Sequence, residues 1–381
     1  MAVWTIIQRM IYVDVSAAVH GRAGLGRYAA HLAQALALAQ PGRIGLFHNL
    51  GRGGEIPAGL QGLPRRSVNW GYKPWRMAVL MGQFGRIPFN RLLPEAELFH
   101  ATEHLLMPLH NLPAVLTVHD LIFKLFPDYH KKLNYYYLNW AMPLFCRRAD
   151  AIIAVSEATR RDIVAHYGLD PAKIHVVYEA ASAHFQLPTP ADVAQARRQY
   201  HLPDRFLLHL GTLEPRKNLS RLLAALVELR RDRPDLHLVL AGARGWLMEA
   251  FFARLAEYDL AAVVHPLGWV PDETLPAVIA AADLAVQPSL YEGFGLPLLE
   301  QMACGQVVAA SRAGSLPEVG GEAVAYFDPL DTAEMATVIG RLLDDRDEYA
   351  QRRRLGLAQA QRFSWERAAR ETWAVYAQFL G

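Results

Sequence analysis

The chain has 381 residues, of which 52% are hydrophobic and 20% charged, with a formal charge of +2. That balance excludes a disordered or fibrous protein, and the length exceeds one ordinary core, so two domains with a cleft between them are expected. The only cysteines, Cys146 and Cys304, lie far apart in apolar contexts, which excludes a disulfide framework or a cysteine-rich metal site and suits a reducing compartment.

In chain order, residues 1 to 9 are too short for a signal peptide and are given no role. No apolar run reaches the roughly 18 residues of a spanning helix, so a cytoplasmic location is expected. Strand-like pattern begins at Ile11–Val15 and runs into Gly21-Arg22-Ala23-Gly24-Leu25-Gly26-Arg27-Tyr28, which reads as a phosphate-cradling turn before a helix. A dinucleotide-binding turn needs an acidic residue about 20 positions later; none stands there, which discounts a nicotinamide cofactor. A second buried strand, Ala114–Val118, ends at His119-Asp120. A histidine at that end of a strand faces the ligand crevice of an open α/β sheet or bonds to backbone as a structural residue, with Asp120 orienting it.

Short apolar runs at Ala151–Val155, Phe206–Leu210, Leu236–Ala241 and Leu284–Gln287 alternate with helical stretches, the pattern of an α/β protein with parallel sheets. They divide into two doubly wound domains, residues 10–185 and 195–360, joined by a segment containing Pro188, Pro190 and a polar helix at 191–200. The tail from Phe363 carries one apolar helical stripe that needs a surface to pack on. Residues 1–185 hold 19 Lys/Arg against 12 Asp/Glu, and the remainder 20 against 25. The basic half is either a solvated surface or a docking face for anionic lipid or a phosphate-bearing acceptor.

Two loops concentrate the chemistry. After Leu284–Gln287 comes Ser289-Leu-Tyr-Glu292-Gly293-Phe294-Gly295-Leu296-Pro297-Leu-Leu-Glu300. Its glycines allow close approach of a ligand, Pro297 suits a helix start, and the helix amides and dipole favour an anion such as a diphosphate. Glu292 and Glu300 can accept hydrogen bonds from sugar hydroxyls. After Phe206–Leu210 comes Gly211-Thr212-Leu213-Glu214-Pro215-Arg216-Lys217-Asn218, where two cations stand ready to stabilise a departing phosphate. An exposed basic loop is the plainer alternative.

Taken together, these segments resemble family 4 of the retaining glycosyltransferases over nearly the whole chain. The order carries the resemblance: Gly24-Leu-Gly-Arg-Tyr28, His119-Asp120, Arg147-Arg-Ala-Asp150 followed by Ala154-Val-Ser-Glu157, Glu214-Pro-Arg-Lys-Asn218, Glu292 with Glu300, and Phe363-Ser-Trp-Glu366. The resemblance implies a GT-B fold, two Rossmann-like parallel-sheet domains facing a cleft. The N-terminal one would bind acceptor, the C-terminal one nucleotide sugar, and residues 361–381 would form a helix crossing back to the N-terminal domain. It also implies that Lys217 and Arg216 bind the diphosphate, Glu300 the ribose and Glu292 the transferred sugar. His119 would contact the sugar near the reacting carbon, Gly24 would approach the diphosphate, and Gly268 to Pro271, including Val270, would line the base pocket. Gly293, Phe294, Gly295 and Leu296 complete the donor loop. His119, Glu292 and Lys217 are the catalytic candidates. No metal and no cofactor are implied, since the nucleotide sugar is a substrate. Thr212 departs from the arginine that many relatives carry there, with Arg216 as the compensating cation.

The local style of 211–218 and Ser315-Leu-Pro-Glu-Val319 resembles bacterial mannosyltransferases of surface polysaccharides, implying GDP-mannose as donor, with UDP-sugars open. Tyr135 to Tyr137, Trp140, Trp70 and Trp75, with the basic N-terminal half, suggest a lipid-linked saccharide acceptor and peripheral membrane contact. No partner nucleic acid is indicated. The rival readings are a phosphorylase or an epimerase on the same fold, or a non-catalytic nucleotide-sugar-binding protein.

Overall fold

Strands covered on both faces must be apolar along their length, and such runs recur here. The computed structural model describes residues 9–49 and 54–380; apart from Arg9, the opening segment given no role lies outside the described residues. The strands form two parallel sheets. The first contains β1 (Met10–Asp14), β2 (Ile44–Asn49), β3 (Arg65–Val68), β4 (Ala96–Ala101), β5 (Ala114–Val118), β6 (Ala151–Ala154) and β7 (Ile174–Val176), in the order β3-β2-β1-β4-β5-β6-β7. The second contains β8 (Phe206–Leu210), β9 (His237–Ala241), β10 (Val264–Gly268), β11 (Leu284–Gln287), β12 (Val308–Ser311) and β13 (Ala325–Phe327), in the order β10-β9-β8-β11-β12-β13. Both are doubly wound: strand order reverses beside β1 and β4 in one sheet and beside β8 and β11 in the other. Ligands of open α/β sheets bind outside the carboxyl ends of the strands at such a reversal.

The chain divides into two compact units, one reaching to Glu179 and taking in the chain again from Ser364, the other spanning Ala180–Phe363. Within the second, the helix Pro190–Gln199 starts at a Thr189/Asp192 capping box and packs on the helix Leu275–Ala281. Its Ala196 shares a core with Phe185, Phe206 and Val278, so the polar-looking stretch after Pro188 is anchored by a small apolar face. Within the first, the helix Trp365–Tyr376 buries Trp365, Ala368, Ala369, Val375 and Tyr376 and packs along the helix Ala23–Ala39. Trp365 stacks on His31 with ring centroids 5.4 Å apart. The Tyr376 hydroxyl lies 2.6 Å from His100 Nδ1.

Candidate active site

In the second unit, the reversal point gathers the two loops that carry the motifs. Gln287 at the end of β11 donates to the Leu210 carbonyl at the end of β8 (3.1 Å), tying the two strand ends together. The chain leaving β8 makes a single 3-10 turn, Pro215–Lys217, and stops at Asn218 in the left-handed region (φ 58). Asn218 Nδ2 donates to the carbonyls of Pro288 (3.1 Å) and Pro329 (2.7 Å), which fixes the turn against the loop after β11. That loop ends at Gly295, whose φ of 96 opens the helix Leu296–Ala303 with Pro297 in its first turn. Gly314 closes the other side: a Cβ there would lie 2.5 Å from the Glu292 carbonyl oxygen and 2.8 Å from its amide nitrogen.

Glu292 is thereby held among cations. Lys217 Nζ donates to its Oε1 at 2.6 Å, Arg216 Nη1 stands 2.8 Å from its Oε2, and the Ser289 hydroxyl donates to Oε1 at 2.6 Å. Arg216 also donates to the Tyr291 carbonyl (2.6 Å) and pairs with Glu214. Burial alone would raise the Glu292 pKa, but Arg216 and Lys217 outweigh it and bring it down to about 2. Burial and the neighbouring Arg216 pull Lys217 below its ordinary value, against the opposing pull of Glu292 and Glu214. The four charges sum to zero within a buried cluster, so two cations are preorganised at the sheet's reversal point.

Around this centre, Glu300 lies buried in the helix Leu296–Ala303. Phe294 is buried with its ring edge-on to Phe363, 5.9 Å away. Gly268 ends β10 at φ 70, and its carbonyl accepts the Gly242 amide (2.8 Å); Val270 is buried just beyond. Sequence reasoning passed over His209, which β8 places beside Lys217. Its Nδ1 meets the Val286 carbonyl at 3.1 Å and must carry the proton. Burial, with Lys217, takes its pKa to about 3, so the imidazole is neutral. Ser289 and Ser315 also escaped it; Ser315 Oγ lies 3.0 Å from the Glu292 carbonyl oxygen and 2.7 Å from that of Phe294. A histidine interrupting the apolar run of β8 was the available signal.

The first unit carries His119 and Gly24. His119 follows β5 and is buried, with Nδ1 3.0 Å from Glu179 Oε1 and Nε2 2.9 Å from the Thr102 carbonyl oxygen. Both partners only accept, so both ring nitrogens donate and the ring is an imidazolium. Burial opposes that charge, but Glu179 overcomes it and the pKa is raised. Asp120 does not orient the ring: its Oδ1 accepts the Ile122 amide at 3.0 Å, capping the turn that follows the strand. Tyr28 meets the His119 ring edge-on at 4.6 Å, and its hydroxyl joins Thr117 (2.9 Å), which joins His100 (2.7 Å). Through Tyr376 this chain of hydrogen bonds reaches the C-terminal helix.

The glycine-rich segment near the start is not a turn ahead of a helix. Gly21 (φ 62) makes the bend, and Gly24, Gly26 and Tyr28 already belong to the helix Ala23–Ala39. The physical reason is Gly26, whose missing side chain lets the helix pack against the Ala17 carbonyl, 2.9 Å from where a Cβ would sit. Arg22 precedes the helix, paired with Glu103 at 2.7 Å and lying 3.8 Å over the Tyr72 ring.

Residues 193–360 match the family "Glycosyl transferases group 1" and residues 22–182 match "Glycosyltransferase Family 4". The chain is 34% identical over 370 residues to the O-antigen chain mannosyltransferase B of Escherichia coli, covering 93% of this chain and 95% of that protein. It is 35% identical, over 61% of this chain and 55% of the relative, to the MMP alpha-(1->4)-mannosyltransferase of Mycolicibacterium hassiacum. Among solved structures, sucrose-phosphate synthase from Thermosynechococcus elongatus superposes with a TM-score of 0.75 at 20% identity, over 97% of this chain and 99% of that one. HepE from Anabaena, solved in complex with UDP and glucose, gives 0.73 at 20% identity over the same shares. These likenesses match the GT-B class of two parallel-sheet α/β domains.

Proposed function

We propose, on the premise that this chain belongs to family 4 of the glycosyltransferases, that it transfers mannose from GDP-mannose to a hydroxyl of a saccharide, with retention of anomeric configuration and without a metal ion. The observation that carries the reading is the Glu292 carboxylate clamped by Lys217, Arg216 and Ser289 at the strand-order reversal of the second unit. A departing nucleoside diphosphate gains negative charge, and buried Lys217 with partly buried Arg216 supplies fixed positive charge to meet it. Arrival of the diphosphate shares those cations, and Glu292, still held by them, keeps lone pairs that accept hydrogen bonds from the transferred sugar. Glu292 acts by position and charge: a carboxylate brought to about 2 and gripped at both oxygens is a poor nucleophile. Transfer then proceeds on one face of the sugar, the leaving phosphate taking the acceptor's proton. Glu300 holds the ribose, and the backbone from Gly268 to Val270 lines the base.

The mannose assignment is supported by relatives named as mannosyltransferases, among them the Serotype-specific mannosyltransferase WbdA of Escherichia coli. A lipid-linked saccharide of a surface polysaccharide is the acceptor class proposed. HepE, solved with UDP and with UDP-glucose, keeps UDP-sugar donors as the second reading. The test is incubation with GDP-mannose or UDP-glucose in excess chelator, with and without mannose-terminated oligosaccharide. The proposal requires acceptor-dependent GDP release and a product whose anomeric carbon–proton coupling is that of an α-mannoside. UDP release alone moves the donor to the second reading, acceptor-independent turnover points to an epimerase, and phosphate-dependent turnover to a phosphorylase.

A further inference from the structure

Two of the largest side chains buried in the first unit carry a hydroxyl, Tyr28 at 1% exposed and Tyr376 at 0%. Phenylalanine would fill either place without a polar atom to satisfy. The two hydroxyls are joined through two further buried groups. Tyr376 meets His100 Nδ1 at 2.6 Å, His100 Nε2 meets the Thr117 hydroxyl at 2.7 Å, and Thr117 meets the Tyr28 hydroxyl at 2.9 Å. Burial, with His119, brings the His100 pKa to about 3, and burial raises both phenols, so every member is neutral. A neutral imidazole donates from one nitrogen and accepts at the other, so losing the Tyr376 hydroxyl strands His100 Nδ1 in the core.

This series of bonds leads to His119. Tyr28 lies on the inward face of the helix Ala23–Ala39, with Leu32 and Leu36 at i+4 and i+8, and Gly26 lets that face in against the Ala17 carbonyl. Its ring meets the His119 ring at 4.6 Å and 89°, and Trp365 at 5.9 Å. The helix Trp365–Tyr376 therefore holds Tyr28 twice, by ring contact from Trp365 and through the hydroxyl series from Tyr376. His119 gives both of its N–H groups to the protein, one to Glu179 and one to the Thr102 carbonyl. It can serve a sugar only through its charge and the plane in which the ring is held, and a displacement on the order of 1 Å can cost about a hundredfold in rate. Two hydrogen bonds fix the ring nitrogens but leave the ring free to tilt about the line joining them; the Tyr28 contact blocks that tilt. The other ionisable groups facing His119 are Asp120, His104 and His100, and burial lowers both histidines so that neither adds charge.

We propose that Tyr28 is a positioning residue for His119, and that Trp365 and Tyr376 of the last helix hold it in place. The proposal rests on the reading of His119 as a group that faces the transferred sugar, and its first test needs no substrate. Protein carrying isotope-labelled histidine is followed by NMR, the ring N–H signals of His119 being those that vanish in His119→Gln. Tyr28→Leu should speed exchange of those protons with solvent at least about tenfold. Tyr28→Phe and Tyr376→Phe, which keep the rings and cut the tether, should each speed it about threefold. In the transfer assay well below the melting point, Tyr28→Leu should lower kcat at least about tenfold with the donor KM within about twofold of wild type. A lowered melting temperature in Tyr28→Leu with His119 exchange and kcat unchanged overturns the proposal, since a residue that only fills the core would do that. Tyr28→Phe as damaging as Tyr28→Leu also overturns it, because the ring contact would then hold nothing. Should Tyr28→Leu fail to fold, Tyr376→Phe decides alone: faster exchange supports the proposal and unchanged exchange overturns it. A wild type without transfer activity would sink the proposed function, while the exchange series still judges the positioning.

Discussion

Replacing Glu292 by glutamine keeps the side chain's size and removes one charge from the centre of the proposed donor site. In the folded protein Arg216 and Lys217, outweighing burial, depress its pKa from 4.5 to about 2. A depressed carboxylate contributes stability that is fully present above its unfolded value and is lost as pH falls through the folded one. The window is therefore from 4.5 down to about 2, and the contribution at neutral pH is about 3 kcal/mol. Glutamine imitates the protonated carboxyl, so Glu292→Gln should cost a similar amount, close to the ~3–5 kcal/mol typical when one member of a buried ion pair is removed. For a unit of this size that lowers the melting temperature by roughly 6–12 °C. Glu292→Ala would add the loss of packing, so it cannot be read as a purely catalytic substitution. A nucleoside diphosphate returns negative charge to the stranded cations, and GDP should therefore stabilise the variant more than the wild type. Calorimetry with and without GDP measures both quantities, and transfer assayed well below the variant's melting point should fall at least about a hundredfold. Melting within about 2 °C of wild type, or a GDP-induced shift no larger than the wild type's, would show that Glu292 is not held by these cations.

Lys217→Met should lower transfer by at least about a hundredfold; it should also cost less in the Glu292→Gln background than alone, which a double-mutant cycle in denaturant measures. His119→Gln removes a buried imidazolium whose pKa is raised, a contribution present below its ordinary 6.5 and lost as pH rises through the folded value. The wild type should accordingly lose stability across that alkaline range while the variant shows a flatter profile in pH-dependent melting. Gly314→Ala forces a Cβ to within 2.5 Å of the Glu292 carbonyl at φ 57, so it should destabilise by at least about 2 kcal/mol and lower turnover, as chemical denaturation and the transfer assay would register.

The parts of the fold legible in the sequence were those with apolar side chains on both faces. Strands β1, β5, β6, β8, β9 and β11 were each located to within a residue. The edge strands were not. β3 reads Arg-Arg-Ser-Val, β10 contains Pro266, and β7 and β13 are three residues long, features that suit unpaired edges and erase the strand signal. The internal strands β2 and β4 hid for another reason: buried His48, Asn49 and His100 interrupt their apolar runs, and the hydrogen bonds that satisfy Asn49 and His100 come from distant residues. β12 was missed as well, because Val308–Ser311 is only four residues long and half alanine. The candidate site divided the same way. Arg216, Lys217 and Glu292 stood out because each lies in a glycine- and proline-marked loop just past a strand. The partner of His119 did not, since Glu179 is 60 residues away and the adjacent Asp120 is occupied in capping its own turn.

In the proposed function the second unit holds a nucleoside diphosphate on Lys217 and Arg216. Calorimetric titration of GDP into the wild-type protein and into Lys217→Met tests it most directly. One GDP should bind per chain, with affinity lowered at least about tenfold by the substitution. Equal affinity in the two proteins, or no heat and no binding with GDP or UDP in the wild type, would contradict it.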